Sequence, residues 1–213
     1  MPTFTATLGK RNLQAPLLYG ISKRTAFPEL DADRYLELLF RTSAHLLQWR
    51  EKDLDARATL QLVRRAVQLA RQSGKLFLVN SLVELALDEG ADGAHLTSQQ
   101  DLKEADRLRR HRRPDFVLGQ SVHSIQEAER AQRGGADYVL LGPIFAPLSK
   151  TGHSPPLGLL RLRAITQSLH IPVFAIGGLS RRRFAEVIQA RTIGAAGITW
   201  LQGEIQSLLQ SGS

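Results

Sequence analysis

The chain has 213 residues, of which 43% are hydrophobic and 23% charged, so it can form one compact domain with a sizeable core. It contains no cysteine, which excludes disulfide bonds and thiolate metal sites. The net charge of +8 is compatible with nucleic-acid binding, but the arginines gather on predicted helix surfaces with no interleaved aromatic residues to stack on bases. We therefore expect no nucleic-acid partner.

Residues 1–14 mix polar side chains with Lys10 and Arg11 and lack the apolar run of a secretory signal. No later segment reaches the roughly 18 consecutive apolar residues of a membrane span. We expect a cytoplasmic protein without membrane contacts. In this interpretation residues 1–213 form one domain, and residues 1–14 are its N-terminal extension.

Beyond residue 16, short apolar runs alternate with segments of helical periodicity. In residues 57–72, Leu60, Val63 and Val67 recur at the spacing of a helix that packs on a sheet. The predicted strands span residues 17–21, 45–49, 75–79, 93–96, 116–119, 138–141, 172–176 and 197–200. This alternation predicts a single (β/α)8 TIM barrel, an α/β fold with eight parallel strands. A doubly wound open sheet competes with it, but no G-x-G-x-x-G motif follows the first strand.

Three similar segments, 90–93, 135–138 and 194–197, are each predicted to end a helix and lead into a strand. Their first residue is glycine, which can take the left-handed conformation at a helix C-terminus. Such turns lie at the N-terminal ends of strands, away from the barrel face that carries chemistry. Asp92 and Asp137 are therefore expected to stabilise the turns rather than to react.

Cationic side chains follow two of the predicted strands. Arg50 and Lys52 come after the second strand, and Lys150 follows the sixth. The C-terminal ends of barrel strands meet at one mouth, so these three charges can converge on phosphate or carboxylate oxygens. The Gly/Ser/Pro-rich stretch 150–156 is predicted to be a mobile loop over that mouth.

A glycine pair follows the seventh strand. Gly177 and Gly178 offer unhindered amides at a predicted helix start, where barrels commonly bind phosphate together with the turn after the eighth strand, here near Thr199. The expected partner is a small molecule that carries phosphate.

In their order along residues 17–201, these motifs resemble the thiamine phosphate synthase / TenI family of barrels. The segments that carry the resemblance are 48–52, 90–96, 121–124, 142–145 with Lys150, 155–158 and 175–178. The resemblance implies a thiazole phosphate ligand. When the family's binding positions are matched one by one to this sequence, the expected binding residues include more than Gly177 and Gly178. The further ones are Gln48, Arg50, Lys52, Asn80, Ser121 and Lys150.

The family contains two activities, of which the first is synthesis. Synthases of the family that this chain resembles couple a hydroxymethylpyrimidine diphosphate to a thiazole phosphate. They hold magnesium through two Asp residues. Here Ser81 stands at the first Asp position, and Asp101 matches the second only with a one-residue shift. Magnesium prefers carboxylate oxygens to a serine hydroxyl. We therefore expect no cofactor, with magnesium only if the chain is a synthase.

The second activity is that of TenI-like proteins, which also lack the first Asp and carry a Ser-Val-His-Ser segment, as at 121–124. Their implied reaction is a metal-free proton transfer that aromatises a thiazole carboxylate phosphate. The imidazole group of histidine, with an ordinary pKa of ~6.5, can both take and return a proton near neutral pH, so His123 is the expected catalytic residue. His95 is expected to fill the barrel mouth. The favoured interpretation is a TenI-like thiazole tautomerase, an isomerase.

Other functions stay open. The first alternative is a thiamine phosphate synthase. A non-catalytic, ligand-binding regulator would keep the cations and the glycine pair but would not need His123. An isomerase or epimerase of sugar phosphates would need opposed acidic groups or a metal, and the predicted mouth has few carboxylates. The sequence also leaves a homodimer open.

Overall fold

The computed structural model describes residues 4–146 and 155–211. A short helix precedes eight strands, each followed by a helix. The elements are α1 (Phe4–Lys10), β1 (Leu17–Ile21), α2 (Ala32–Arg41), β2 (Leu46–Trp49), α3 (Ala56–Ser73), β3 (Leu76–Asn80), α4 (Val83–Asp88), β4 (Gly93–Leu96), α5 (Leu102–Arg112), β5 (Val117–Val122), α6 (Ile125–Gly134), β6 (Tyr138–Leu141), α7 (Gly158–Ser168), β7 (Val173–Ile176), α8 (Phe184–Gln189), β8 (Gly194–Gly197) and α9 (Thr199–Gln210).

The strands form one closed sheet. Each strand pairs in parallel with the next along the chain, and β8 closes the ring by pairing with β1, with Leu17 opposite Gly194. The predicted (β/α)8 barrel is therefore confirmed. Within the described residues, no helix combines the length and the apolar character needed to cross a bilayer.

Two apolar layers hold the barrel together, because alternate strand residues point to opposite faces of the sheet. Trp49 and Val79 face outward and pack with the helices, as in the cluster that also contains Leu36 and Val63. The inward-facing cluster contains Tyr19, Leu46, Leu78, Tyr138 and Phe174. This arrangement places Gln48, which precedes Trp49, on the interior face.

Helix α1 covers the N-terminal end of the barrel. Its Phe4 and Leu8 are buried in the interior cluster, and the ring centroid of Phe4 lies 5.0 Å from that of Tyr138. Arg11, just after the helix, pairs with Asp92 in the turn before β4. Part of the predicted N-terminal extension thus packs into the barrel core.

Two turn carboxylates behave as the sequence predicts. Asp92 Oδ2 accepts a hydrogen bond from Phe77 N at 2.9 Å, and Asp137 Oδ2 accepts one from Leu118 N at 2.8 Å. Each carboxylate therefore ties the start of its own strand to the start of the preceding one.

The eighth strand lies earlier than predicted. Residues 194–197, interpreted from the sequence as a turn, form β8 itself, and Thr199 and Trp200 begin α9. A Cβ at Gly194 would collide with the carbonyl oxygen of Leu17 and lie 2.9 Å from the ring of Phe174. Small residues are required in β8 because this strand passes close to β1 and β7. Local periodicity in the sequence does not reveal that close approach.

Candidate active site

Two cations at the C-terminal end of β2 have no counter-ion among the described residues. Arg50 is half-buried and its backbone N–H donates to Ser22 Oγ at 2.8 Å, which joins the ends of β1 and β2. Lys52 is exposed. Within 4–146 and 155–211, no carboxylate lies within ion-pair distance of either side chain. Unpaired positive charge at the C-terminal end of a barrel strand favours the binding of an anionic ligand.

The amides of Gln48 and Asn80 meet beside these cations. Gln48, at the end of β2, is 2% exposed, and its Nε2 donates to Asn80 Oδ1 at 2.9 Å. Asn80 Nδ2 in turn donates to Ser81 Oγ at 2.8 Å. Ser81 has a φ of 65°, in the left-handed region that a residue other than glycine adopts at a cost.

Buried aromatic residues continue this line of hydrogen bonds across the barrel. Tyr19 OH donates to Gln48 Oε1 at 3.0 Å and lies 2.8 Å from Tyr138 OH. His95 Nδ1 lies 3.1 Å from Tyr138 OH, and His95 Nε2 lies 2.9 Å from Ser121 Oγ. We call the connected side chains the mouth network: Ser121, His95, Tyr138, Tyr19, Gln48, Asn80 and Ser81.

The mouth network is uncharged near neutral pH. Burial, helped by the charge of Arg50, lowers the pKa of His95 to about 3. Burial also raises the pKa of Tyr19 and of Tyr138 above the ordinary range for a phenol. All three rings are therefore neutral, and each carries a single hydrogen that can be donated.

The glycine pair is shaped by the loop that follows β6. Gly177 and Gly178 have φ values of 95° and 63°, and a Cβ at Gly177 would lie 2.6 Å from Pro143 Cβ. Phe145 N donates to Gly177 O at 3.1 Å, so the loop lies directly on the turn. The helix beyond it, α8, has only six residues.

A further cation stands at this turn. The guanidinium of Arg183 lies 4.3 Å from the ring centroid of Phe145, and its Nη1 donates to Gly178 O at 3.3 Å. Residues 181–183 form an arginine run, among the arginines expected from the sequence to lie on helix surfaces. Contact with Phe145 distinguishes Arg183, whereas Arg181 pairs with Glu204.

His123 lies beyond the mouth network. Its side chain is exposed, and its Nδ1 donates to Gly142 O at 2.6 Å, so the ring braces the end of β6. Its backbone N–H donates to Glu127 Oε2 at 2.8 Å. These contacts describe an anchor between the ends of β5 and β6.

The structure brings part of the predicted site together. Gln48, Asn80 and Ser121 share one network, with Arg50 and Lys52 at the same end of the barrel. Lys150 and most of the predicted loop 150–156 lie outside the described residues. Tyr138 was not predicted from the sequence as a site residue, although a tyrosine on the inward face of a closed barrel needs a hydrogen-bond partner.

The described residues do not fit a carboxylate site for magnesium. Ser81 supplies a hydroxyl that already accepts from Asn80. The Asp101 carboxylate caps α5, where Oδ1 accepts from Lys103 N at 2.9 Å and Glu104 N at 3.3 Å. In the part of the chain that the structure describes, no three His, Asp or Glu side chains are grouped as metal ligands would be.

Comparisons with known proteins identify the relatives. A family model described as thiamine monophosphate synthase matches residues 18–201. The chain is 36% identical over 187 residues to the thiamine-phosphate synthase of Roseiflexus sp. strain RS-1, covering 88% of this chain and 78% of that protein. It is 39% identical over 188 residues to that of Gloeobacter violaceus, covering 87% of this chain and 53% of that longer protein.

A solved structure agrees with these sequence matches. Thiamine phosphate pyrophosphorylase from Pyrococcus furiosus superposes with a TM-score of 0.74 at 29% identity, covering 92% of this chain and 96% of that one.

These relatives contradict the favoured interpretation from the sequence. The TenI-like thiazole tautomerase was wrong, because relatives at 36–39% identity over most of the chain are named synthases. That interpretation rested on Ser81, on the shift at Asp101 and on the Ser-Val-His-Ser segment at 121–124, whereas the similarity to synthases extends over most of the chain. The proton-transfer role of His123 belonged to the tautomerase reaction and is withdrawn together with it. In the structure, His123 Nδ1 donates a hydrogen bond to a backbone carbonyl oxygen.

Proposed function

Because the chain belongs to the thiamine monophosphate synthase family, we propose that it is a thiamine-phosphate synthase, a transferase. It would join a hydroxymethylpyrimidine diphosphate to a thiazole phosphate. The C–O bond between the pyrimidine methylene and the diphosphate breaks, and a bond from that carbon to the thiazole nitrogen forms. Diphosphate leaves with the bonding electrons. The observation that carries this proposal is the 36% identity to a named synthase across 88% of the chain.

Both substrates carry phosphate, and we assign it to two groups of residues at the mouth. We assign the diphosphate to Arg50 and Lys52, with Lys150 as a third cation, because unpaired charges can stabilise the negative charge that develops on a leaving group. We assign the thiazole phosphate to the amides of Gly177 and Gly178. Arg183, held against Phe145, supplies positive charge at that turn.

The mouth network suits the pyrimidine. Asn80 and Ser121 are only partly buried, whereas Gln48, His95, Tyr19 and Tyr138 are buried beneath them. A polar heterocycle can therefore form hydrogen bonds with the amide of Asn80 and the hydroxyl of Ser121, which buried side chains hold in fixed orientations. Fixed dipoles hold the reacting carbon in place without reorganising during the reaction.

The lack of a carboxylate pair at Ser81 and Asp101 limits this mechanism. The residues that would hold magnesium in the family are not present in a suitable arrangement among those described, so we derive no step through a metal. The same observation favours a second candidate, a non-catalytic protein that binds thiazole phosphate through Gly177 and Gly178.

A paired experiment separates the two candidates. Purified protein is mixed with both substrates in buffer containing magnesium chloride, thiamine phosphate is quantified by chromatography, and thiazole phosphate binding is measured by calorimetry. A synthase forms product over many turnovers and binds thiazole phosphate. Binding without product formation would replace the synthase with the ligand-binding regulator.

A further inference from the structure

The mouth network runs through the barrel without interruption. Six hydrogen bonds of 2.8–3.1 Å join its seven side chains, from Ser121 on β5 to Ser81 after β3. The interior members are shielded from water, so their hydrogens can be donated only to other members of the network. In such a network, the orientation of one member determines the orientation of the others.

The orientation of the Gln48 side-chain amide determines the direction, from donor to acceptor, of the hydrogen bonds in the mouth network. Gln48 Nε2 donates to Asn80 Oδ1, so Gln48 Oε1 is the atom that faces Tyr19 and accepts the phenol hydrogen. A phenol has one hydrogen to donate. Since the hydrogen of Tyr19 is used by Gln48, the 2.8 Å contact between the two phenols must be donated by Tyr138.

The same reasoning fixes the tautomer of His95. The hydrogen of Tyr138 is used by Tyr19, so the 3.1 Å contact with His95 must be donated by Nδ1–H. The neutral imidazole carries only that hydrogen, and its Nε2 is therefore an acceptor. The 2.9 Å contact at Nε2 is then donated by the Ser121 hydroxyl.

We propose that His95 is a positioning residue whose Nδ1–H tautomer turns the Ser121 hydroxyl inward, so that Ser121 presents only lone pairs to the ligand. Ser121 then selects a ligand that offers an N–H or NH2 group at this point over one that offers a carbonyl oxygen. The assignment of that ligand to an aminopyrimidine rests on the proposed synthase function. The tautomer of His95 does not depend on it.

The opposite direction is the state that would refute this proposal. If Gln48 presented its NH2 group to Tyr19, then Tyr19 would donate to Tyr138 and Tyr138 to His95 Nδ1. His95 would carry its hydrogen on Nε2 and donate to Ser121. Ser121 would then be free to donate to the ligand, and its preference would be reversed.

Nitrogen NMR of ligand-free protein labelled with 15N-histidine tests the direction, because the two neutral tautomers have different ring nitrogen shifts. We expect the Nδ1–H form for His95 at neutral pH. In Tyr19→Phe, Tyr138 loses its acceptor and should donate to His95 Nδ1, which switches the ring to the Nε2–H form. Tyr35→Phe is the matched control, because Tyr35 is also buried but accepts from Lys23 N outside the network.

A binding measurement tests the consequence for Ser121. The probes are the aminopyrimidine diphosphate substrate and an analogue with a carbonyl in place of the exocyclic amine. Wild-type protein should bind the amine at least about tenfold more tightly, as expected for one hydrogen bond exchanged for a repulsive contact. Tyr19→Phe should lose this preference, whereas Tyr35→Phe should keep it.

The NMR result either supports or overturns the proposed tautomer. An Nε2–H tautomer in the wild type would overturn it, and so would a tautomer that does not respond to Tyr19→Phe. If that variant does not fold, the wild-type spectrum still determines the direction. A protein with the expected tautomer that forms no thiamine phosphate would contradict the synthase function while leaving the direction of the network intact.

Discussion

At the N-terminal end of the barrel, carboxylates and arginines neutralise one another, whereas at the mouth Arg50 and Lys52 have no described counter-ion. Arg109, 5% exposed, bonds to Asp106 and Asp137 and also donates to backbone carbonyl oxygens of Phe116 and Gly135. Paired and buried charge serves stability, and unpaired charge at a strand end is available to a ligand. The difference separates the residues that hold the fold from those proposed to act.

The largest expected effect is on stability, at the N-terminal end. Arg109→Ala removes a buried donor shared by two carboxylates and two carbonyl oxygens, and leaves those carboxylates with only Arg110 and Leu118 N, so we expect a loss of about 3–5 kcal/mol in the free energy of unfolding. Urea titration followed by circular dichroism measures it. Arg110→Ala, which removes a more exposed partner of Asp106, is the control and should cost about 0–1 kcal/mol. Equal losses would show that burial of the pair is not what matters.

The next effect is on the reaction, at the mouth. Arg50→Lys keeps the charge but loses the planar fork, so kcat/KM for the pyrimidine diphosphate should fall by a factor equivalent to about 1–3 kcal/mol. Stability should hardly change, because the guanidinium makes no described ion pair. Arg57→Lys, an exposed residue in the first turn of α3, is the matched control. Unchanged kinetics in Arg50→Lys would mean that Arg50 is merely solvated.

The turn at Gly178 should affect both properties. A Cβ there would collide with the carbonyl oxygen of Ala146, and the φ of 63° is strained for alanine. We expect Gly178→Ala to cost about 1–3 kcal/mol of stability and to raise the KM for thiazole phosphate. Gly203→Ala, which adds a Cβ in open space within α9, should leave the KM unchanged and should not lower stability, because alanine favours a helix interior more than glycine does. A stable Gly178→Ala with normal KM would remove this turn from the site.

The smallest effect is expected at His123. His123→Ala removes one hydrogen bond to Gly142 O, so the free energy of unfolding should fall by only about 0.5–1.5 kcal/mol. Because the ring braces β6 and is not assigned to the reaction, kcat for coupling should stay within a few-fold of wild type. A loss of about 10²-fold or more in initial-rate assays would restore a catalytic role for this residue.

Local pattern predicts much of the barrel and little of the mouth network. The strands at 17–21, 93–96 and 138–141 match the predictions because apolar runs with flanking turns are local signals. Residues 194–197 were misassigned because only the neighbouring strands explain why small residues form β8. The contact between His95 and Tyr138 joins residues 43 positions apart, which no local pattern encodes.

The most direct test of the contrast between the two ends is calorimetric titration of inorganic diphosphate into wild-type protein, Arg50→Gln and Arg110→Gln. We expect Arg50→Gln to weaken diphosphate binding by about tenfold or more, as is typical of a lost charge-assisted hydrogen bond, and Arg110→Gln to bind like wild type. Equal weakening in both variants would show that net charge alone attracts the anion, and would contradict the assignment of function to the unpaired cations of the mouth.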